Sequence, residues 1–137
     1  MDPIKIDLSI QEPIQKVWDY FNQPEHIVNW NFAHESWHCP KAENDLRVGG
    51  KLKTRMEAKD GSFGFDFEGI YDEIVPLKLI RYHLEDGRNV EIQFDEIDQN
   101  TTKVTKIFDP ETINSIEMQR DGWYAILENF HRYVTNS

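Results

Sequence analysis

The sequence predicts an α+β domain in which a curved antiparallel sheet wraps around one long carboxyl-terminal helix. Three observations predict it. Between Asp45 and Pro76, Leu52, Thr54, Met56 and Ala58 alternate with Lys51, Lys53, Arg55 and Glu57. Beyond the Asp60-Gly61 turn, Phe63, Phe65 and Phe67 alternate with Gly64, Asp66 and Glu68. This is the period-two pattern of half-buried strands joined by a tight turn. A meander of similar strands follows. The chain then ends on a helical repeat, Trp123, Ile126, Leu127, Phe130 and Val134, which fits about twenty residues and roughly 30 Å of helix laid across a concave sheet.

Each element has its own signal. Lys5 to Ile10 reads as a first strand. Pro13 stands in the first-turn position that tolerates proline, and Ile14, Val17, Trp18 and Phe21 recur at helical spacing behind it. Pro24 restarts the pattern as a second short helix carrying Ile27 and Trp30, so that two small helices plug one end of the sheet. Residues 31–44 read as irregular, with Trp37 and Cys39 in a short strand. Strands are expected at 50–58, 63–75, 78–85, 88–97 and 101–108, with turn signals at Asp60-Gly61, Val75-Pro76, Asp86-Gly87 and Asn100. Ile80, Tyr82, Leu84, Val90, Ile92 and Phe94 form the inward series, and Arg81, His83, Glu85, Glu91, Gln93 and Asp95 face water. For the last helix, Asn114 is the expected cap with Glu117 closing a capping box, and Ile113 packs on Met118 as a staple. Gly122 inside this helix costs about 1 kcal/mol relative to alanine, which points to a close approach or a space beside it.

The 137 residues read as one domain, 1–137, long enough to bury a sizeable core. With 25 acidic against 15 basic residues the formal charge is -10, which repels nucleic acid phosphates and anionic membrane surfaces. Neither nucleic acid nor membrane insertion is expected. A single cysteine, Cys39, cannot form an internal disulfide, and the amino terminus has neither the basic start nor the apolar stretch of a secretory signal. The expected location is the cytoplasm.

The order of strand, two short helices, meander and long last helix is the helix-grip layout. The segments PIQKVWDYFNQPEHIVNW, WHCPKAENDLRVGGKL, DGSFGFDFEGIYDEIVPLKLI and MQRDGWYAILENFHRYV resemble, in order and spacing, the START-like (SRPBCC) superfamily, in the branch related to the activator of the heat-shock-protein ATPase (Aha-type domains). The resemblance covers nearly the whole chain. It implies a helix-grip (START/Bet v-like) fold, which hosts lipid carriers, hormone receptors, aromatic polyketide cyclases and co-chaperone modules. The chain is read as this domain alone, without the separate amino-terminal domain that the eukaryotic co-chaperones use.

His34-Glu35-Ser36-Trp37-His38 spells the H-E-x-x-H signature of zinc metalloproteases. That chemistry needs both histidines one turn apart on one helix face, with a further ligand elsewhere. Here the segment runs into Cys39-Pro40, where the resembled family has loop and strand, so no metal site is assigned. Gly49-Gly50 precedes a strand and lacks the G-x-x-x-x-G-K-[ST] of a phosphate loop; it reads as a bend that lets the hairpin curl, as does Gly69. No cofactor is expected.

The aromatic stripes have two readings, a solid interdigitated core or the wall of an apolar pocket. The family resemblance favours the pocket, lined by Trp30, Trp37, Thr54, Met56, Phe65, Phe67, Tyr82, Ile92, Phe94, Trp123, Ile126 and Phe130. Tyr82 is the leading polar candidate in it, because a buried hydroxyl needs a partner; Asp66 and Tyr124 are lesser ones. His83, Arg55 and Asp66 fall on the outward parity, which leaves no catalytic acid or base inside. The resulting expectation is a non-enzymatic carrier or sensor of a small hydrophobic molecule. The alternatives are a stress-response module that modulates a chaperone ATPase, and a cyclase or dehydratase acting on aromatic or polyketide substrates.

Overall fold

The inward and outward alternation of the strands, carried through six antiparallel pairings, builds a single seven-stranded sheet. In the computed structural model, which describes residues 2–137, the elements are β1 (Ile4–Ile10), α1 (Ile14–Asn22), α2 (Pro24–Ile27), β2 (Trp37–Asn44), β3 (Lys51–Ala58), β4 (Gly64–Val75), β5 (Leu79–Leu84), β6 (Asn89–Asp98), β7 (Thr101–Phe108) and α3 (Ile116–Thr135). The strand order is β1-β7-β6-β5-β4-β3-β2. Strands β2 to β7 therefore form a simple meander, and β1 returns to pair with the last strand, Ile6 opposite Lys106. Register shifts in β2, β4 and β6 add the local twist that curls a sheet. This is the helix-grip fold that the sequence pattern predicts.

The core follows the expected parity. Ile80, Tyr82 and Leu84 on β5 and Val90, Ile92 and Phe94 on β6 are all buried. They pack with Ile4, Ile6 and Ile10 of β1, with Val17, Trp18 and Phe21 of α1, and with Leu127, Phe130 and Val134 of α3. Helix α3 lies closest to β1 and α1. The concave face in front of β3, β4 and β5 is therefore not filled by helix backbone.

Three details differ from the sequence expectation. Residues 37–44 form a full eight-residue strand on the sheet edge. A register shift between His38 and Lys41 breaks the alternation a sequence reading relies on, and Pro40 is tolerated there because an edge strand need not donate every N–H. The cap of α3 is Ser115, whose Oγ accepts from the Met118 N–H at 3.1 Å. Asn114 lies one residue outside, its N–H donating to Glu111 Oε1. Ile113 is 88% exposed, so no staple forms. At Gly69 a β-carbon would stand 2.5 Å from Cδ2 of Tyr82, so this glycine lets the tyrosine ring lie across β4.

Candidate functional site

A cavity of about 250 Å³ lies between the concave sheet and α3, closed at one end by the α1–α2 plug. For scale, a cavity of about 150 Å³ accommodates a benzene ring. The hairpin of β3 and β4 supplies one wall, with Thr54 opposite Phe67 and Met56 opposite Phe65 in the ladder. The deeper floor comes from Ile80 and Tyr82 on β5, Ile92 on β6 and Lys106 on β7. The roof is Trp123 and Ile126 of α3, and the plug contributes Phe21, Ile27 and Trp30.

Of the residues predicted for the pocket, Trp30, Thr54, Met56, Phe65, Phe67, Tyr82, Ile92, Trp123 and Ile126 all reach this cavity. Trp37, Phe94 and Phe130 do not. Trp37 on the edge strand packs beyond the cavity against Phe63 and Phe65, at centroid distances of 5.9 and 6.1 Å. Phe94 is enclosed by Trp18 and Phe21 at 5.0 and 5.4 Å. Phe130 is enclosed by Phe21 and Trp30 at 5.4 and 4.8 Å. The last two have the predicted parity, but the plug helices cover them. Asp66 is exposed and pairs with Arg55, and Tyr124 is half-buried away from the wall.

The polar groups on the wall are more informative than the apolar ones. Thr54 is 2% exposed, and its Oγ1 is buried without a hydrogen-bond partner. Tyr82 is 5% exposed, and burial raises its phenol well above the ordinary value. Tyr71 donates its hydroxyl to Asn44 Oδ1 at 2.5 Å, and the Asn44 amide donates to the Asn22 carbonyl at 2.8 Å. The Asn22 amide in turn donates to the Trp18 carbonyl at 2.9 Å.

Lys106 was not anticipated. It is 6% exposed, and its Nζ lies 5.4, 6.0 and 5.7 Å from the ring centroids of Phe21, Trp30 and Trp123. Burial pushes its ammonium down to about 8, and no carboxylate offsets that effect. Its signal was present in the sequence: Thr102, Val104, Lys106 and Phe108 share one parity on β7, and all four are buried. Tyr71 likewise continues the inward series of Phe65, Phe67 and Gly69.

The family model described as Activator of Hsp90 ATPase homolog 1-like protein matches residues 11–135. The chain belongs to that family. That match, together with the helix-grip fold, is consistent with the Aha-type branch of the START-like superfamily. A protein from Cytophaga hutchinsonii solved in solution is 45% identical, covering 98% of this chain and 92% of its own, with a TM-score of 0.84. An AHSA1-like protein from Aeromonas hydrophila is 38% identical over 97% of this chain and 93% of its own, with a TM-score of 0.88. A Chromobacterium violaceum protein at 23% identity, covering 96% of both chains with a TM-score of 0.84, shares the fold. No match is found among curated proteins.

In this family member the H-E-x-x-H segment does not form a helix. His34 and Glu35 sit in a bend and turn, and His38 lies on β2, its Nε2 3.6 Å from Glu57 of β3. His34 Nδ1 instead contacts Ser36 Oγ at 2.8 Å. The two histidines therefore lack the shared helical face the zinc chemistry requires. Among the described residues no helix is long and apolar enough to cross a membrane.

Proposed function

We propose that this chain is a carrier or sensor of a small hydrophobic molecule, held between the sheet and α3. The observation that supports the reading is the cavity itself, about 250 Å³ and walled mainly by aromatic and aliphatic side chains with a few convergent polar groups, the usual character of small-molecule sites. Burial of the ligand's apolar surface, at about 25 cal/mol per Å², supplies most of the affinity. The polar groups select orientation.

The test compares native and denaturing mass spectra of freshly purified protein. Added mass that is lost on denaturation, with a small molecule recovered from the extract, is the expected result. A polar replacement of Phe67 or Trp123 that folds yet retains the ligand would rule out this site.

A second reading, a stress-response module that modulates a chaperone ATPase, draws on the family description and on an outer surface. Phe63 is 62% exposed beside Phe65 and Trp37 at the edge of the sheet. A chaperone ATPase assay distinguishes the two, because this reading predicts stimulation that Phe63→Ser weakens and that filling the cavity leaves unchanged.

A further inference from the structure

The charge on the cavity wall runs against the charge of the chain. The protein carries 25 acidic and 15 basic residues. Yet among the described residues no aspartate or glutamate lines the cavity, while Lys106 and Arg88 both do. Arg88 is already paired, its Nε donating to Asp86 Oδ2 at 2.7 Å. Lys106 has no such partner. Its neighbours across the ladder are Ile6 and Ile92, and the remaining approach to its Nζ is occupied by three aromatic rings.

An isolated ammonium held away from water is costly, and buried charges are ordinarily paired or neutralised. Aromatic faces attract a cation but leave its N–H groups without acceptors. The one side of Lys106 not closed by side chains of the core is the cavity. Thr54, which faces the same space, is a second buried polar group with an unused hydroxyl. An ammonium without an acceptor at one side of an apolar chamber defines what must complement it: an acceptor-rich, negatively charged group attached to an apolar body.

We propose that the cavity takes a compact amphipathic monoanion, an apolar body of roughly bicyclic size carrying one carboxylate, with Lys106 as its charge partner. This inference rests on the reading of the cavity as a ligand site and adds the class of ligand. One unpaired cation sets one negative charge. The cavity volume sets the body, since a space of about 150 Å³ already accommodates one aromatic ring. Phe65, which is 40% exposed, lies at the open side, and Lys106 lies at the buried side. The carboxylate therefore enters first and the apolar body follows it.

The test is calorimetric titration of the whole chain with naphthoate and with its neutral isostere naphthamide. The expected result is that naphthoate binds at least about tenfold more tightly, the size of a charge-assisted hydrogen bond formed out of water. In Lys106→Met that preference disappears, and naphthamide binding persists. Equal affinities in the wild-type chain would overturn the anion inference and leave the hydrophobic site standing. A preference that survives in Lys106→Met would also overturn it, by placing the carboxylate elsewhere. Failure of both compounds to bind at millimolar concentration would overturn the ligand-site reading itself, and this inference with it.

Discussion

The ammonium of Lys106 lies 5.7 Å from the centroid of the Trp123 indole, and that indole is stacked at 4.0 Å on Phe108, two residues further along the same strand. One inward row of β7 thus supplies both the cation and the ring that holds its aromatic neighbour in place. Trp123 also meets Phe67 edge to face at 6.2 Å, so the roof residue spans the cavity from β7 to β4. The position of the charge is set by packing that does not depend on the charge.

Lys106→Met is expected to raise stability at about pH 7 by roughly 1–3 kcal/mol, because a methionine fills a similar volume without a charge to desolvate. The pH dependence follows from a folded-state value lowered from 10.5 to about 8. Between those two values the unfolded chain binds more protons than the folded one, so the contribution of Lys106 to stability rises with pH. Its full penalty is present below about pH 8 and is relieved as pH approaches 10.5. Raised values at Cys39, Tyr71 and Tyr82 give the opposite slope, but they are present in both proteins. Urea midpoints measured across this range should show the gap between variant and wild type closing as pH rises. A constant gap, or a less stable variant, would mean that the charge is already satisfied.

Two glycines are expected to respond in opposite directions to alanine. At Gly69 the new methyl meets the Tyr82 ring at 2.5 Å, and moving a buried ring off its rotamer costs about 1–3 kcal/mol. Around Gly122 nothing lies within 4 Å, so alanine gains about 0.5–1 kcal/mol from helix propensity alone. Thermal melts of the two single variants check both signs. The space beside Gly122 is one of the two alternatives its presence in a helix implied.

The legible part of this protein was whatever repeats. The alternations of β5 and β6, and the spacing of Trp123, Ile126, Leu127, Phe130 and Val134, placed the sheet and the last helix, and nine of the twelve residues read as pocket lining lie on the cavity wall. Parity identifies a face but not the neighbour that covers it, which is why Phe94 and Phe130 point inward yet lie under the plug. Trp37 lies opposite Ala58 at the far end of the hairpin, beyond the Met56–Phe65 pair that bounds the cavity, a distance that parity does not reveal. Lys106 was missed for a different reason. A lysine on an inward parity reads as a surface residue, because unpaired charges are rarely buried, so the residue that departs from the rule is the one the sequence pattern conceals.

The cap of α3 offers a direct comparison of the two assignments. Ser115→Ala removes the hydroxyl that accepts from Met118 and is expected to cost about 1 kcal/mol. Asn114→Ala should change stability very little. Its N–H donates to Glu111 and its carbonyl accepts from the Gln119 amide at 2.9 Å, and both are backbone contacts that alanine retains. Urea denaturation of the two variants separates them. The reverse order of costs would restore Asn114 as the cap.

Tyr71→Phe is expected to destabilise by about 0.5–1.5 kcal/mol, because it takes the donor from the half-buried Asn44 oxygen. The consequence should extend beyond one bond. Asn44 ends β2 and Asn22 ends α1, and the Tyr71 hydroxyl is the first link in the chain that joins β4 to both. These residues also line the cavity, so the same bonds that hold the plug against the sheet set the shape of that wall. Amide hydrogen exchange should therefore quicken along β2 and at the end of α1 while β6 and β7 keep their protection. Uniform acceleration across the sheet would instead mean that the tyrosine contributes to global stability alone, and that the plug is held by its apolar contacts with Phe94 and Phe130.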